Sequence, residues 1–195
     1  MKSRTLISFD WAMKRLLRNK ANFGILNGFL SELLKEKIEV QQILESEGNQ
    51  ESVTDKYNKL DLLCINNGGE IIAIEVQYYE ESDYFHRCLY GTSKLITEHL
   101  SKGETYAQVK KIYSINILYF DLGSGDDYIY VGRTQFSGLN NAEELLLSEN
   151  QQVKFGKNTP DEIFPVYYTD HTSNIDQSSL CSVGLFDCYA GITFV

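Results

Sequence analysis

The chain has 195 residues, 43% of them apolar and 23% charged, with a formal net charge of −9, which suits one domain with an ordinary core. This acidic balance excludes a nucleic-acid binder that works by bulk positive charge, though not one with a local basic face. The opening "MKSRTLISFDWAMKRLL" has neither an uninterrupted apolar run nor a small-residue cleavage site, and no later stretch has the apolar length of a membrane helix, so a soluble cytoplasmic protein is expected.

In chain order, "FDWAMKRLLRNKANFGILNGFLSELLKEK" reads as one broken helix or two consecutive ones. Phe9, Met13, Leu16 and Leu17 form one apolar stripe, and Phe23, Leu26, Phe29, Leu30, Leu33 and Leu34 form another. "KIEVQQIL" has strand character and "SEGNQESVTDKYN" is polar and loop-like. Next come two apolar runs, "KLDLLCI" and "EIIAIEVQYY", joined by the hairpin turn signal Asn66-Asn67-Gly68-Gly69.

Ser82 or Asp83 can cap a helix whose stripe is Phe85, Leu89, Thr92, Ile96 and Leu100, with Gly103 beyond its end. "KIYSINILYF" is nearly continuously apolar, as in a strand covered on both faces, and "DDYIYVGRTQF" alternates as a further strand. "NNAEELLLSEN" predicts a short helix, and "DEIFPVYY" a strand that Pro165 suits to a sheet edge. After Tyr168 no periodicity lasts, which predicts a domain over 1–168 and an irregular tail over 169–195. Strand, strand, helix, buried strand, strand is an α/β layout.

Cys64, Cys88, Cys181 and Cys188 show no CxxC spacing, and His86, His99 and His171 no metal-ligand spacing; buried reduced thiols are expected. There is no P-loop, GxSxG or HExxH, and no GxGxxG after a strand, so a small-molecule enzyme on another α/β fold has no supporting motif.

The hairpin carries two carboxylates in apolar surroundings, Asp61 and Glu75. A buried, unpaired charge costs several kcal/mol. A two- or four-residue loop would pair Asp61 with Ile74; a three-residue loop of Asn67, Gly68 and Gly69, with a left-handed glycine, would pair it directly with Glu75. Like charges directly opposite need a compensating cation, and a hard divalent ion with carboxylate ligands is a natural one. The bland alternative is that Asp61 lies at a wet strand start and Glu75 faces solvent.

An Asp in one strand, a hairpin turn, and Glu-x-Lys in the next strand followed by a helix is the core pattern of the PD-(D/E)XK nuclease superfamily. The blocks "FDWAMKRLLRNKANFGILNGFLSELL", "LDLLCINNGGEIIAIEVQ" and "YFHRCLYGTSKLITEHLSKGETYAQVKKIYSINILYF", in that order, resemble its recombination-promoting nuclease / putative transposase family over about residues 8 to 136. The resemblance implies a restriction-endonuclease-like core, a mixed central sheet flanked by helices, and a DNA endonuclease dependent on Mg²⁺ or Mn²⁺. It implies that Asp61 and Glu75 bind metal, that Asp10 adds a further acidic group, and that Gln77 stands in the place of the superfamily lysine, as in a Glu-x-Gln variant. Arg87 matches a basic position on the following helix.

A metal on Asp61 and Glu75 would lower the pKa of its water and draw charge from the phosphoryl oxygens. Gln77 can orient a water but has no charge. In the three-residue register Lys59 lies opposite Gln77, so its ammonium is one substitute for the missing lysine, and Lys94 is another. For DNA, Lys14, Arg15, Arg18 and Lys20 cluster on or beside the first helix, with Arg87 and Lys94 on the later one. A solvated helix face is the plainer account of such a cluster. The rival to an active nuclease is a catalytically inactive, C-terminally truncated family remnant that serves as a binding or interaction domain or has no function. Repulsion between the facing carboxylates also predicts that Asp61→Ala leaves the melting temperature unchanged or raised.

Overall fold

The computed structural model describes residues 23–44, 60–127 and 129–170. The stripe from Phe9 to Leu17, the polar stretch before Lys59 and residues 171–195 of the expected tail lie outside them. The elements are α1 (Phe23–Leu34), β1 (Val40–Leu44), β2 (Leu62–Asn66), β3 (Ile71–Gln77), α2 (Tyr84–Glu98), β4 (Ile112–Leu118), β5 (Ile129–Gly132), α3 (Glu149–Phe155) and β6 (Val166–Asp170). The strands form one mixed sheet in the order β1-β2-β3-β4-β6-β5. β3, β4 and β6 run parallel, while β1 with β2, β2 with β3, and β5 with β6 are antiparallel. This is the α/β, mixed-sheet architecture expected from the sequence.

Strand alternation sends the residues of β3 to two different layers. Ile72, Ile74 and Val76 pack with Leu62, Cys64, Tyr113, Ile115 and Ile117 against Leu26, Phe29, Leu30 and Leu34 of α1. On the opposite face Ile71 and Ala73 pack with Leu60, Leu63 and Ile112 against Leu95 of α2. Glu75 and Gln77 belong to this second face. The sheet centre is therefore covered on both sides, and β4 is buried along its whole length, as its nearly continuous apolar run predicts.

α2 turns a different side to the sheet than its most apolar stripe suggests. Phe85 and Leu89 are 61% and 60% exposed, whereas Tyr84, Cys88, Gly91, Thr92 and Leu95 are buried. The helix is rotated by about one residue, roughly 100°, because its polar atoms have buried partners. The Tyr84 hydroxyl donates to Asn116 Oδ1 at 3.2 Å, and Thr92 Oγ1 lies 2.8 Å from the Tyr167 hydroxyl. The Tyr84 ring also meets Phe120 edge-on, at 5.8 Å between centroids.

Two further expectations change. "NNAEELLL" is not helical: Gly138 N–H bonds to Glu143 O (2.7 Å) and Leu145 N–H to Phe136 O (2.9 Å), folding this stretch back on itself. The helix begins only at Glu149, where Ser148 N–H and Oγ both donate to Gln151 Oε1 at 2.9 Å. β6 is not an edge strand but lies between β4 and β5. Pro165 precedes its first residue, so its missing N–H removes no ladder bond.

The hairpin takes the three-residue turn. Asn66 N–H bonds to Glu70 O (3.1 Å), Gly69 N–H to Asn66 O (3.0 Å), and Gly69 has φ 76°. The Asn66 side chain closes the loop by accepting from Gly68 N–H at 3.0 Å and Glu70 N–H at 2.9 Å. Space is open around a Cβ at Gly69, so only backbone strain opposes a side chain there. Gly69→Ala is expected to lower stability by about 1 kcal/mol in urea unfolding while the hairpin register persists.

Candidate active site

From the turn, the register Leu62↔Ile74, Leu63↔Ala73, Cys64↔Ile72 runs without slippage toward the open end of the hairpin. One residue beyond that ladder, Asp61 lies close enough to Glu75 for its charge to act on the Glu75 carboxyl. Asp61 sits in a bend at the start of β2; its N–H donates to Ile74 O at 3.1 Å, and its Oδ2 accepts from Val76 N–H at 2.9 Å. The Asp61 carboxylate thus replaces a ladder acceptor where the strand pairing ends. This bond reverses the stability expectation, since removing the carboxylate strands a backbone donor of a buried residue.

Glu75 is 7% exposed, beneath α2. Burial pushes its carboxyl up to about 6; Arg87 opposes that rise, and the Asp61 and Glu81 charges add to it. Among the described residues the cation paired with Glu75 is Arg87. Its Nη2 pairs with Glu75 Oε1, and its Nη1 with Glu81 Oε1 at 2.7 Å. Burial works against the Arg87 charge, but Glu75 and Glu81 outweigh it and hold its pKa above the ordinary value. Gln77, half-buried at the end of β3, donates through Nε2 to Tyr79 O (3.1 Å) and Glu81 Oε1 (2.9 Å).

Asn116 lies beside Glu75 in the parallel β3–β4 register and ties the site to the helix. Its Oδ1 accepts from Tyr84 and from Cys88 Sγ (3.4 Å), and its Nδ2 donates to Ser114 Oγ (3.2 Å) and Tyr168 O (3.3 Å). Leu60, Ala73, Glu75, Arg87, Cys88 and Asn116 line a gap of about 10 Å³, room for about one water. The Cys88 thiol, like that of Cys64, is raised to about 12 by burial, so neither is a ready nucleophile or metal ligand.

Of the candidate residues, the structure brings Asp61, Glu75, Gln77 and Arg87 together. Lys94 lies two turns beyond Arg87 on the same flank of α2, with its Nζ buried, no hydrogen-bond partner, and Glu98 Oε1 at 3.9 Å. Asp10, Lys14, Arg15, Arg18 and Lys59 lie outside the described residues. No sequence pattern singles out Glu81 or Asn116. Glu81 sits in the polar run "EESD", which carries no periodicity, and Asn116 is one of two polar residues, with Ser114, within an otherwise apolar strand.

A mixed sheet flanked by helices, with two carboxylates brought close by a hairpin and a helix following them, is the architecture of the restriction-endonuclease-like fold. The model of the PD-(D/E)XK nuclease family transposases matches residues 7–155, most of the chain, and the protein belongs to that family. No curated protein and no solved structure matches it.

The family's nucleases use divalent metals, and the donor chemistry here fits one: two carboxylates, with a third candidate, Asp10, outside the described residues. Among the described residues no three His, Cys, Asp or Glu side chains converge as a metal set. Hard cations need only one or two carboxylates when water and phosphate oxygens complete the shell.

Two stability measurements test this geometry. Asp61→Ala is expected to lower the melting temperature, at a cost of about 1–2 kcal/mol for the stranded Val76 N–H, whereas Asp61→Asn, which keeps an acceptor, loses less. The folded chain also keeps the Glu75 proton up to about pH 6, against 4.5 ordinarily. The stability tied to this group is therefore fully present below about pH 4.5 and is lost as pH rises through about 6. Glu75→Gln is expected to flatten that slope in unfolding curves taken across the window.

Proposed function

We propose that the protein is a metal-dependent DNA endonuclease that hydrolyses phosphodiester bonds, with Asp61 and Glu75 holding Mg²⁺ or Mn²⁺ and Asp10 as a further acidic ligand. The observation that carries this reading is the hairpin register, which sets Asp61 close to a Glu75 sheltered beneath α2. Two carboxylates at such a place repel each other, and the fold maintains them only by supplying positive charge. A bound cation would supply it together with a polarised water and a Lewis acid for the phosphoryl oxygens.

The chain's own residues do the remaining work. Asp61 is fixed by Val76 N–H. Gln77 orients water, and Arg87, Lys59 or Lys94 provides the charge that a lysine in place of Gln77 would bring. Because the gap beneath α2 admits about one water, a phosphodiester approaches from the open end of the hairpin, where Gln77 and Arg87 stand. Lys14, Arg15, Arg18 and Arg87 would contact DNA phosphates. None of the helices among the described residues is long and apolar enough to cross a membrane.

A second reading, a family member that binds without cutting, is favoured by the Arg87–Glu75 pair, since it neutralises Glu75 with no metal. Cleavage decides between them. The purified protein is expected to nick plasmid DNA in a Mg²⁺- or Mn²⁺-dependent way, and Asp61→Ala to abolish this; Asp61→Asn, which preserves the Val76 bond, should lose at least about a hundredfold in rate, or roughly 3 kcal/mol of transition-state stabilisation. Wild-type protein inert with both metals on single- and double-stranded DNA would overturn the nuclease reading and favour the second.

A further inference from the structure

Gln77 and Glu81 form a pair whose chemistry dictates which end of an amide faces the site. A primary amide has two N–H donors and a carbonyl acceptor. Both donors of Gln77 are taken, one by Tyr79 O at 3.1 Å and one by Glu81 Oε1 at 2.9 Å. Both partners are acceptors only, so the reversed amide would set its oxygen against a carbonyl and a carboxylate. Glu81 is itself held by Arg87 Nη1 at 2.7 Å on the same oxygen, and Arg87 is held by Glu75.

The carbonyl oxygen of Gln77 is what remains, without a partner among the described residues. It belongs to the face of β3 that carries Glu75 two residues earlier. A lysine at this place would offer N–H donors and a positive charge. Gln77, so oriented, offers an oxygen acceptor.

Resting on the metal-nuclease reading above, we infer that Glu81 is a positioning residue that locks the Gln77 carboxamide with its oxygen toward the Asp61–Glu75 pair. That oxygen is a further, uncharged oxygen donor for the divalent cation or its bound water. Gln77 on this account does not stand in for a lysine; it does the opposite electrostatic job. The positive charge for the phosphate comes from Arg87, which Glu81 also steadies.

The test is Mn²⁺ binding by calorimetry on the full chain, with melting temperatures recorded alongside, for wild type, Gln77→Met, Glu81→Met and the double variant. Gln77→Met removes the oxygen without adding charge and is expected to weaken Mn²⁺ binding at least about tenfold, the usual effect of disturbing a residue that supports a metal shell. Glu81→Met removes a charge near the site in either background, but by also removing the acceptor it releases the Gln77 amide only where that amide exists. Its effect should therefore be at least about threefold larger in wild type than in the Gln77→Met background. A purely structural role would lower the melting temperature and leave that ratio at one. Equal effects in both backgrounds, or wild-type affinity in Gln77→Met, overturn the inference and leave the Asp61–Glu75 site standing. A wild type that binds no Mn²⁺ overturns both.

Discussion

The register of the β2–β3 hairpin is the constraint on which the rest depends. In a pleated sheet a slip of one residue sends every side chain to the other face. Here such a slip would drive Glu75 into the apolar layer beneath α1 and bring Ile74 under α2. The left-handed Gly69 and the two bonds to Asn66 Oδ1 fix the loop at three residues. A turn far from the carboxylates thereby decides that they meet.

Once Asp61 and Glu75 are close, the fold must manage their charge. It does so with fixed donors. Asp61 takes a backbone N–H at the point where strand pairing ends, and Glu75 takes Arg87, whose other arm holds Glu81. A carboxylate at 7% exposure without such a partner would be neutral at physiological pH. The same arrangement makes α2 part of the site: Arg87 reaches Glu75 only because Tyr84, Cys88 and Thr92, not Phe85 and Leu89, face the sheet.

That rotation shows where hydrophobic periodicity misleads. Summed hydrophobicity favours burying Phe85 and Leu89, but the sheet under α2 is not uniformly apolar. Asn116 and Ser114 lie in the middle of β4 and must be satisfied once buried. The helix face that carries a hydroxyl and a thiol satisfies Asn116, and its glycine and threonine allow close approach. The misread helix at "NNAEELLL" has a similar origin, since backbone bonds between Gly138, Glu143, Phe136 and Leu145 outcompete local propensity.

The sequence by itself determined the α/β class, the hairpin and its acidic pair, the buried β4, and the family, because these are written in local signals: alternation, a glycine turn, and blocks in a fixed order. It also narrowed the hairpin to a small set of registers, one of which pairs Asp61 with Glu75. Only the tertiary structure decided among those registers, turned α2, and made Arg87 the counterion of Glu75 and Glu81 the partner of Gln77. Those outcomes are set by which buried polar groups can satisfy one another across different elements, such as Glu75 with Arg87 and Asn116 with Tyr84. Such pairings join residues far apart in the chain, and no local pattern encodes them.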